Sequence, residues 1–206
     1  MLNDLTHLLP NQTAIETRFS FIDDEVLRTN TVITFRYIIF LINLEQENEI
    51  PGPIKYSLYK DMIIHTGTVI ESCIQYTLRK FIDNGVIRSS DVMKMKWVEE
   101  RCEILAEFEN GTKQACGIVR HKSHEKFDKH TQFIAMNRAC KRAGILDKIS
   151  FEKAEKIRKS RNRIHIAGLN EVDKLYQKND VDRHFEYARI VLEQLEEKLV
   201  DLSKNN

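Results

Sequence analysis

Apolar residues recur every three or four positions along most of this chain, which is the spacing of an α-helix with one buried face. Where the spacing stops, the chain carries residues that end helices: Pro51-Gly52-Pro53, then Asn84-Gly85, then Gly144. The pattern predicts helices over residues 23–47, 56–83, 89 to 101 or 105, 127–143, 150–166 and 180–202. Residues 1–20 have no strong pattern, and we expect an irregular or briefly helical lead-in.

The first long helix is predicted to begin at a capping aspartate, Asp23 or Asp24. Its central run, residues 37–44, is apolar almost all round, so we expect this part to be well buried or to contact another subunit. The predicted apolar face consists of Val26, Ile33, Tyr37, Phe40, Leu41 and Leu44. We interpret residues 1–50 as an N-terminal extension with one long helix. Residues 54–203 then form a helical bundle that packs with this extension as one unit.

One segment breaks the helical pattern. Residues 104–109 alternate roughly between apolar and polar, residues 113–119 alternate less cleanly, and Asn110-Gly111 lies between them. Asn-Gly between two such runs is the strongest short-range signal for a β-hairpin. The predicted fold is therefore all-α: an up-and-down helical bundle of five to six helices with one small β-hairpin insertion.

Composition supports this fold and limits the function. The 206 residues include seven Gly and three Pro, few enough to favour long helices over a many-turned β-protein. The formal net charge is +1, so any affinity for nucleic acid must come from a local cluster, such as residues 153–163.

The expected location is the cytoplasm. The four cysteines, at positions 73, 102, 116 and 140, are widely spaced and form no C-x-x-C, so we expect reduced thiols. The first residues carry no basic leader and no small-residue cleavage site. The longest apolar run, residues 37–44, is far shorter than the ~20 residues of a membrane helix, so no membrane association is expected.

The most specific chemistry lies in the helix predicted from Ser150, which Gly168 is expected to end. Arg158, Arg161, Asn162 and His165 are spaced i, i+3, i+4 and i+7, which places them on one stripe of a helix. The unperturbed pKa of a histidine, ~6.5, allows proton transfer near neutral pH, while guanidinium and amide groups can hold a phosphate. These are the minimum requirements for RNA cleavage without a metal.

Arg161 has a special position in this helix. The apolar residues Ala154, Ile157 and Ile164 form a narrow stripe expected to pack on the bundle, and Arg161 lies at its edge. A charged residue at the boundary of a core is costly unless it is paired or used. This cost favours a functional site over an ordinary solvated face.

The motif resembles that of the HEPN superfamily (higher eukaryotes and prokaryotes nucleotide-binding domains), whose members carry an arginine, four to six residues, and then a histidine. Arg158 and His165 have six residues between them, whereas Arg161-Asn162-x-x-His165 resembles a contracted form with three. Either arginine could be the motif arginine. The resemblance extends to the order of elements from 56 to 202. It also includes Glu71, in a context similar to the first helix of the family, which could pair with an arginine of the motif helix.

The resemblance implies a metal-independent endoribonuclease that needs no cofactor. The RNA 2′-hydroxyl attacks its own 3′-phosphate and leaves a 2′,3′-cyclic phosphate. His165 would be the general acid or base, and Arg158 or Arg161 would stabilise the charge on the phosphate. Asn162 would orient the histidine or a phosphate oxygen. Glu71 would support the site by pairing with an arginine. Family members usually form this site across a homodimer. The implied role is a toxin or phage-defence effector with RNA as substrate and possibly an antitoxin protein as partner.

Less specific interpretations stay open at this point. The chain could be a non-catalytic HEPN-like module that binds nucleotide, RNA or a protein partner, or a helical scaffold whose arginines are only structural. His165 could simply stabilise the end of a helix, worth ~0.3–1 kcal/mol. The histidines His121, His124 and His130 lack the further ligands of a tetrahedral metal set, so we do not expect a metal site.

Overall fold

The structure, a computed structural model, describes residues 6–108, 111, 113–164 and 175–204. The α-helices in this part of the chain are α1 (Gln12–Arg18), α2 (Glu25–Glu47), α3 (Gly52–Asp83), α4 (Ser89–Val92), α5 (Phe133–Arg142), α6 (Lys148–Arg161) and α7 (Lys178–Lys204). Strands β1 (Met95–Phe108) and β2 (Lys113–His124) form one antiparallel hairpin, and two 3-10 turns cover Thr6–Leu8 and Asn162–Ile164. The predicted helical class with a small β insertion is confirmed.

Several predicted helix ends are confirmed by local chemistry. Asp24 caps α2, because its side chain accepts a hydrogen bond from the N–H of Leu27 at 2.9 Å. Gly85 follows α3 with φ of 70°, a left-handed conformation that glycine adopts without strain. Helix α3 begins at Gly52, earlier than predicted, because proline is well tolerated in a first turn.

The prediction of a helix from 89 to 101 or 105 is wrong. Helix α4 ends at Val92, and β1 runs from Met95 to Phe108 in register with β2, from the pair Met95 and His124 to the pair Phe108 and Lys113. The strand forms because cross-strand pairing overrides the local propensity of this Lys- and Glu-rich segment. The hairpin is therefore much longer than the insertion predicted from Asn110-Gly111.

The boundaries of α5 and α6 also differ from the prediction. Helix α5 begins at Phe133 instead of 127, because the preceding loop is held by its own side chains: Asp128 Oδ1 accepts from the N–H of His130, and the N–H of Asp128 donates to Thr131 Oγ1. Helix α6 begins at Lys148, capped by Asp147 instead of Ser150, and ends at Arg161 instead of continuing to 166.

The core is organised around α3, which contacts α2, α5, α6 and α7. One apolar cluster joins residues from both predicted ranges, including Phe19 and Ile38 from the N-terminal part and Ile70, Ile157 and Leu195 from the rest. In α2 the predicted apolar face is partly wrong. Val26, Ile33 and Tyr37 are exposed, whereas Leu41 is buried as predicted and Val32 and Ile38, outside the predicted face, are also buried. The buried positions are shifted because α2 turns toward both α1 and α3.

The hairpin stands apart from the helices. Its strands contact mainly each other, and large apolar side chains remain exposed along it: Met95, Trp97, Ile104, Leu105, Phe108 and Ile118. Near its base, the N–H of Glu125 donates to the carbonyl of Lys94 at 3.0 Å. In the described part of the chain, no helix is both long and apolar enough to cross a membrane.

Candidate functional site at the end of α6

Helix α6 carries the two arginines of the motif and is firmly anchored. Ala154 and Ile157 are fully buried in the core, as the apolar spacing predicted. Arg158 and Arg161 occupy the last turn, and Asn162 caps the helix, its N–H directed at the carbonyls of Arg158 and Ser160. The positions of these polar residues are therefore set by the packing of α6 on α3 and α7.

The end of α6 opens into a polar cleft of about 460 Å³. Three of the four predicted motif residues line it, together with Glu71 of α3. The opposite wall comes from the loop before α5 and from the start of that helix. The lining residues are Glu71, Lys129, His130, Thr131, Gln132, Phe133, Ile134, Arg158, Arg161 and Asn162.

Arg158 is held by a carboxylate on its own helix. Its Nε lies 3.1 Å from both oxygens of Glu155, and its Nη2 lies 2.9 Å from Oε2. Glu155 also accepts a hydrogen bond from Nδ2 of the fully buried Asn137 at 2.7 Å. Burial raises the pKa of Glu155, but the hydrogen bonds from Arg158 and Asn137 outweigh it, so the pKa is lowered. Glu155 is thus a charged anchor for Arg158.

Arg161 is held by α3. Its Nη2 lies 2.8 Å from Oε2 of Glu71, so the structure contains the pair that the sequence suggested. Burial raises the pKa of Glu71, and the positive charge of Arg161 only partly opposes this increase. One turn before Glu71, Gly67 lies under the stem of Arg161: a Cβ added to Gly67 would be 2.7 Å from Arg161 Cβ. Gly67 and Glu71 together fix the position of the Arg161 side chain.

The two arginines differ in how far they reach the cleft. The side chain of Arg158 is 14% exposed, and that of Arg161 is 32% exposed. Each guanidinium has five N–H donors, more than its single carboxylate partner uses, so both retain donors for an anion.

The start of α5 adds to the positive character of the cleft. Its N-cap residue, Gln132, makes no side-chain cap hydrogen bond, and Phe133 and Ile134 of its first turn line the cleft. The N-terminus of a helix carries partial positive charge on its free N–H groups. Together with the guanidiniums, it makes the cleft suited to a phosphate.

The predicted catalytic histidine, His165, lies outside the described residues. The α-helical spacing that linked it to Arg158 and Arg161 does not hold, because α6 ends at Arg161 and a 3-10 turn covers Asn162–Ile164. The predicted helix end at Gly168 also lies outside the described part of the chain. The structure therefore brings together Arg158, Arg161, Asn162 and Glu71, and His165 follows that turn directly in sequence.

A further contact at the end of α6 was missed by the sequence. His184 of α7 is buried. Its Nδ1 lies 2.6 Å from the carbonyl of Asp180, and its Nε2 lies 2.7 Å from Ser160 Oγ. Because a carbonyl only accepts, Nδ1 donates, and Nε2 of a neutral ring accepts the hydroxyl proton of Ser160. This contact fixes the last turn of α6 to α7.

Other residues of the site also escaped sequence reasoning. Glu155 was detectable, because a carboxylate three residues before an arginine on a helix pairs with it. The contact of Gly67 with Arg161 could not be predicted from the sequence, since it depends on how closely α3 and α6 approach each other. Lys129 and His130 were assigned to a helix instead of the wall of a cleft.

No group of three or more His, Cys, Asp or Glu side chains in the described residues could hold a metal ion. Compared with models of protein families, with curated protein sequences and with solved structures, the chain has no significant match.

Proposed function

We propose that this protein is a metal-independent endoribonuclease of HEPN type that acts as a homodimer. One observation carries the proposal: Arg158, Arg161, Asn162 and Glu71 come from two helices and line one polar cleft beside the start of α5. A pair of guanidiniums at a helix N-terminus is the arrangement expected for a bound phosphate.

In the proposed reaction, a base removes the proton of an RNA 2′-hydroxyl, and the oxygen attacks the adjacent phosphorus. The bond from phosphorus to the 5′-oxygen breaks, an acid protonates that oxygen, and a 2′,3′-cyclic phosphate remains. His165 is the proposed base or acid, and its counterpart in a second copy supplies the other role. The arginines stabilise the charge that develops on the phosphate.

Within this proposal, Arg161 contacts the reacting phosphate, because it is the more exposed of the two arginines. Arg158, whose guanidinium contacts both carboxylate oxygens of Glu155, supports the cleft wall. Asn162 orients His165 or a phosphate oxygen, and Glu71 holds Arg161 in place. No cofactor is part of the proposed reaction.

The wider expectations belong to the same proposal. They are an up-and-down bundle of HEPN type over 54–203, a role as a toxin or phage-defence effector in the cytoplasm, and inhibition by an antitoxin protein. The order of elements supports the bundle, since α6 is the penultimate helix of the described chain.

Replacing His165 with alanine is expected to abolish RNA cleavage, because loss of a positioned acid or base costs about 10²–10⁴-fold. Purified protein is incubated with RNA in the presence of a chelator, and the ends of the products are analysed for 2′,3′-cyclic phosphate. His121→Ala, on the exposed hairpin, is the matched control and should cleave normally. The proposal fails if wild-type protein and His165→Ala leave RNA equally intact or equally cut.

A second candidate is a non-catalytic HEPN-like module that binds nucleotide, RNA or a protein partner. The observation that favours it is that both arginines already have carboxylate partners, Glu155 and Glu71. A purely structural scaffold is less favoured, because those arginines still line an open cleft. Binding of RNA without cleavage, by wild-type protein and by His165→Ala alike, would identify the binding module.

A further inference from the structure

A second cleft adjoins the first. It has a volume of about 290 Å³ and lies between the base of the hairpin and the loop before α5. The two clefts share His130, Thr131 and Gln132 as a common wall. The two clefts therefore adjoin at the loop before α5, and we refer to them together as the groove.

The lysines along this groove are available for a ligand. Lys96 and Lys126 line the second cleft, and Lys129 lines the first. All three are exposed, and none forms an ion pair with a residue that the structure describes. The acidic residues of the second cleft are Glu125 and Asp128, and Asp128 is occupied by hydrogen bonds within its own loop.

This arrangement differs from that of the arginines. Arg158 and Arg161 are each paired with a carboxylate, which balances part of the positive charge at the end of α6. The three lysines supply further positive charge: Lys129 lines the same cleft as the arginines, and Lys96 and Lys126 line the adjoining cleft at the base of the hairpin. A mononucleotide at the arginines could not use all of them, whereas a strand with several phosphates could.

We propose that the groove binds single-stranded RNA and that Lys129, Lys126 and Lys96 hold phosphates on the hairpin side of the reacting phosphate. This inference rests on the proposed function, because it takes the end of α6 as the place where the strand is cut. A positively charged groove that follows the backbone is the usual means of binding a single strand without sequence preference. The substrate class is an oligoribonucleotide instead of a free nucleotide.

The test uses a labelled 2′-O-methyl oligoribonucleotide of about eight nucleotides, which lacks the attacking hydroxyl and so is bound without being cut. Affinity is measured at several salt concentrations for wild-type protein and for Lys96→Ala, Lys126→Ala and Lys129→Ala. Each substitution should lower the slope of log affinity against log salt by about 0.7, the value for one phosphate contact in a single strand. A 2′-O-methyl dinucleotide should bind Lys96→Ala and Lys126→Ala as it binds wild-type protein.

Lys148→Ala is the matched control. Lys148 is equally exposed, but it begins α6, about 20 Å along the helix from Arg161, and its removal should leave the slope unchanged. The inference is overturned if the three groove variants keep the wild-type slope, or if the oligomer binds no more tightly than the dinucleotide. It stands, and the nuclease proposal falls, if the slopes change as expected while wild-type protein leaves unmodified RNA uncut.

Discussion

Replacing Glu155 with alanine is expected to lower the free energy of unfolding by about 2 kcal/mol, less than the ~3–5 kcal/mol for a fully buried ion pair, because this pair is partly exposed. Glu155 accepts hydrogen bonds from Arg158 and from Asn137, which is fully buried. Without it, the guanidinium, only 14% exposed, loses its counter-charge, and Nδ2 of Asn137 loses its acceptor. Since Oδ1 of Asn137 already has no partner among the described residues, neither polar atom of this amide would then have a described partner.

Thermal or urea denaturation measures this loss, with Glu152→Ala as the control. Glu152 lies on the same helix, is exposed and has no ion pair with a described residue, so its replacement should change stability by less than about 0.5 kcal/mol. Equal stabilities of the two variants would contradict the anchoring role of Glu155.

The same pair predicts a pH dependence. Because the pKa of Glu155 is lowered in the folded protein, its contribution to stability is complete above its ordinary pKa and is lost as the pH falls through the lowered value. The difference in stability between wild-type protein and Glu155→Ala should therefore shrink in acid. Glu71 acts in the opposite direction: its raised pKa means that its contribution decreases as the pH rises through that value.

Replacing Gly67 with alanine is expected to produce the second large change in stability. Alanine is more favourable than glycine inside a helix by about 1 kcal/mol, so helix propensity alone predicts that the substitution stabilises α3. The new Cβ, however, would lie 2.7 Å from Cβ and 3.0 Å from Cγ of Arg161. Relieving this clash must move α6 from α3, and overpacking of this kind costs about 1–3 kcal/mol. We expect a net loss of stability.

The movement should also reach the cleft, because Gly67 and Glu71 hold the same arginine. A displacement of about 1 Å can lower a catalytic rate about 10²-fold, so RNA cleavage by Gly67→Ala should fall well beyond the loss of folded protein. Gly52→Ala, on the same helix with its nearest neighbour at 3.8 Å, is the control. It should keep or raise the melting temperature, which changes by about 2–4 °C per kcal/mol for a chain of this size. If both variants melt and cleave alike, the close approach at Gly67 has no functional weight.

The sequence predicted a helix end well where a local signal marks that end. Asp24 and Gly85 gave correct boundaries, because capping and left-handed turns depend on neighbouring residues. It failed at β1, since the glutamates and lysines of that strand have no strand preference of their own. They become a strand through pairing with β2, which a local pattern does not reveal.

For the site, the sequence selected Arg158, Arg161, Asn162 and Glu71, which do line one cleft. Helical spacing selected Arg158, Arg161 and Asn162, although α6 ends at Arg161 and the spacing applies only to the arginines. Glu71 was selected through the resemblance to the HEPN family. The opposite wall was not predicted. Lys129 and His130 reach the cleft because Asp128 holds the loop before α5 in a turn, and the extent of that turn depends on side-chain hydrogen bonds.

The hairpin begins and ends at one place, since Met95 and His124 are directly opposite each other in the register. The chain therefore leaves and rejoins the helical part of the protein at neighbouring points, whatever the length of the two strands. Residues can be added or removed in matched pairs toward Gly111 without shifting α5 or α6. This makes the tip of the hairpin a practical position for inserting a reporter peptide.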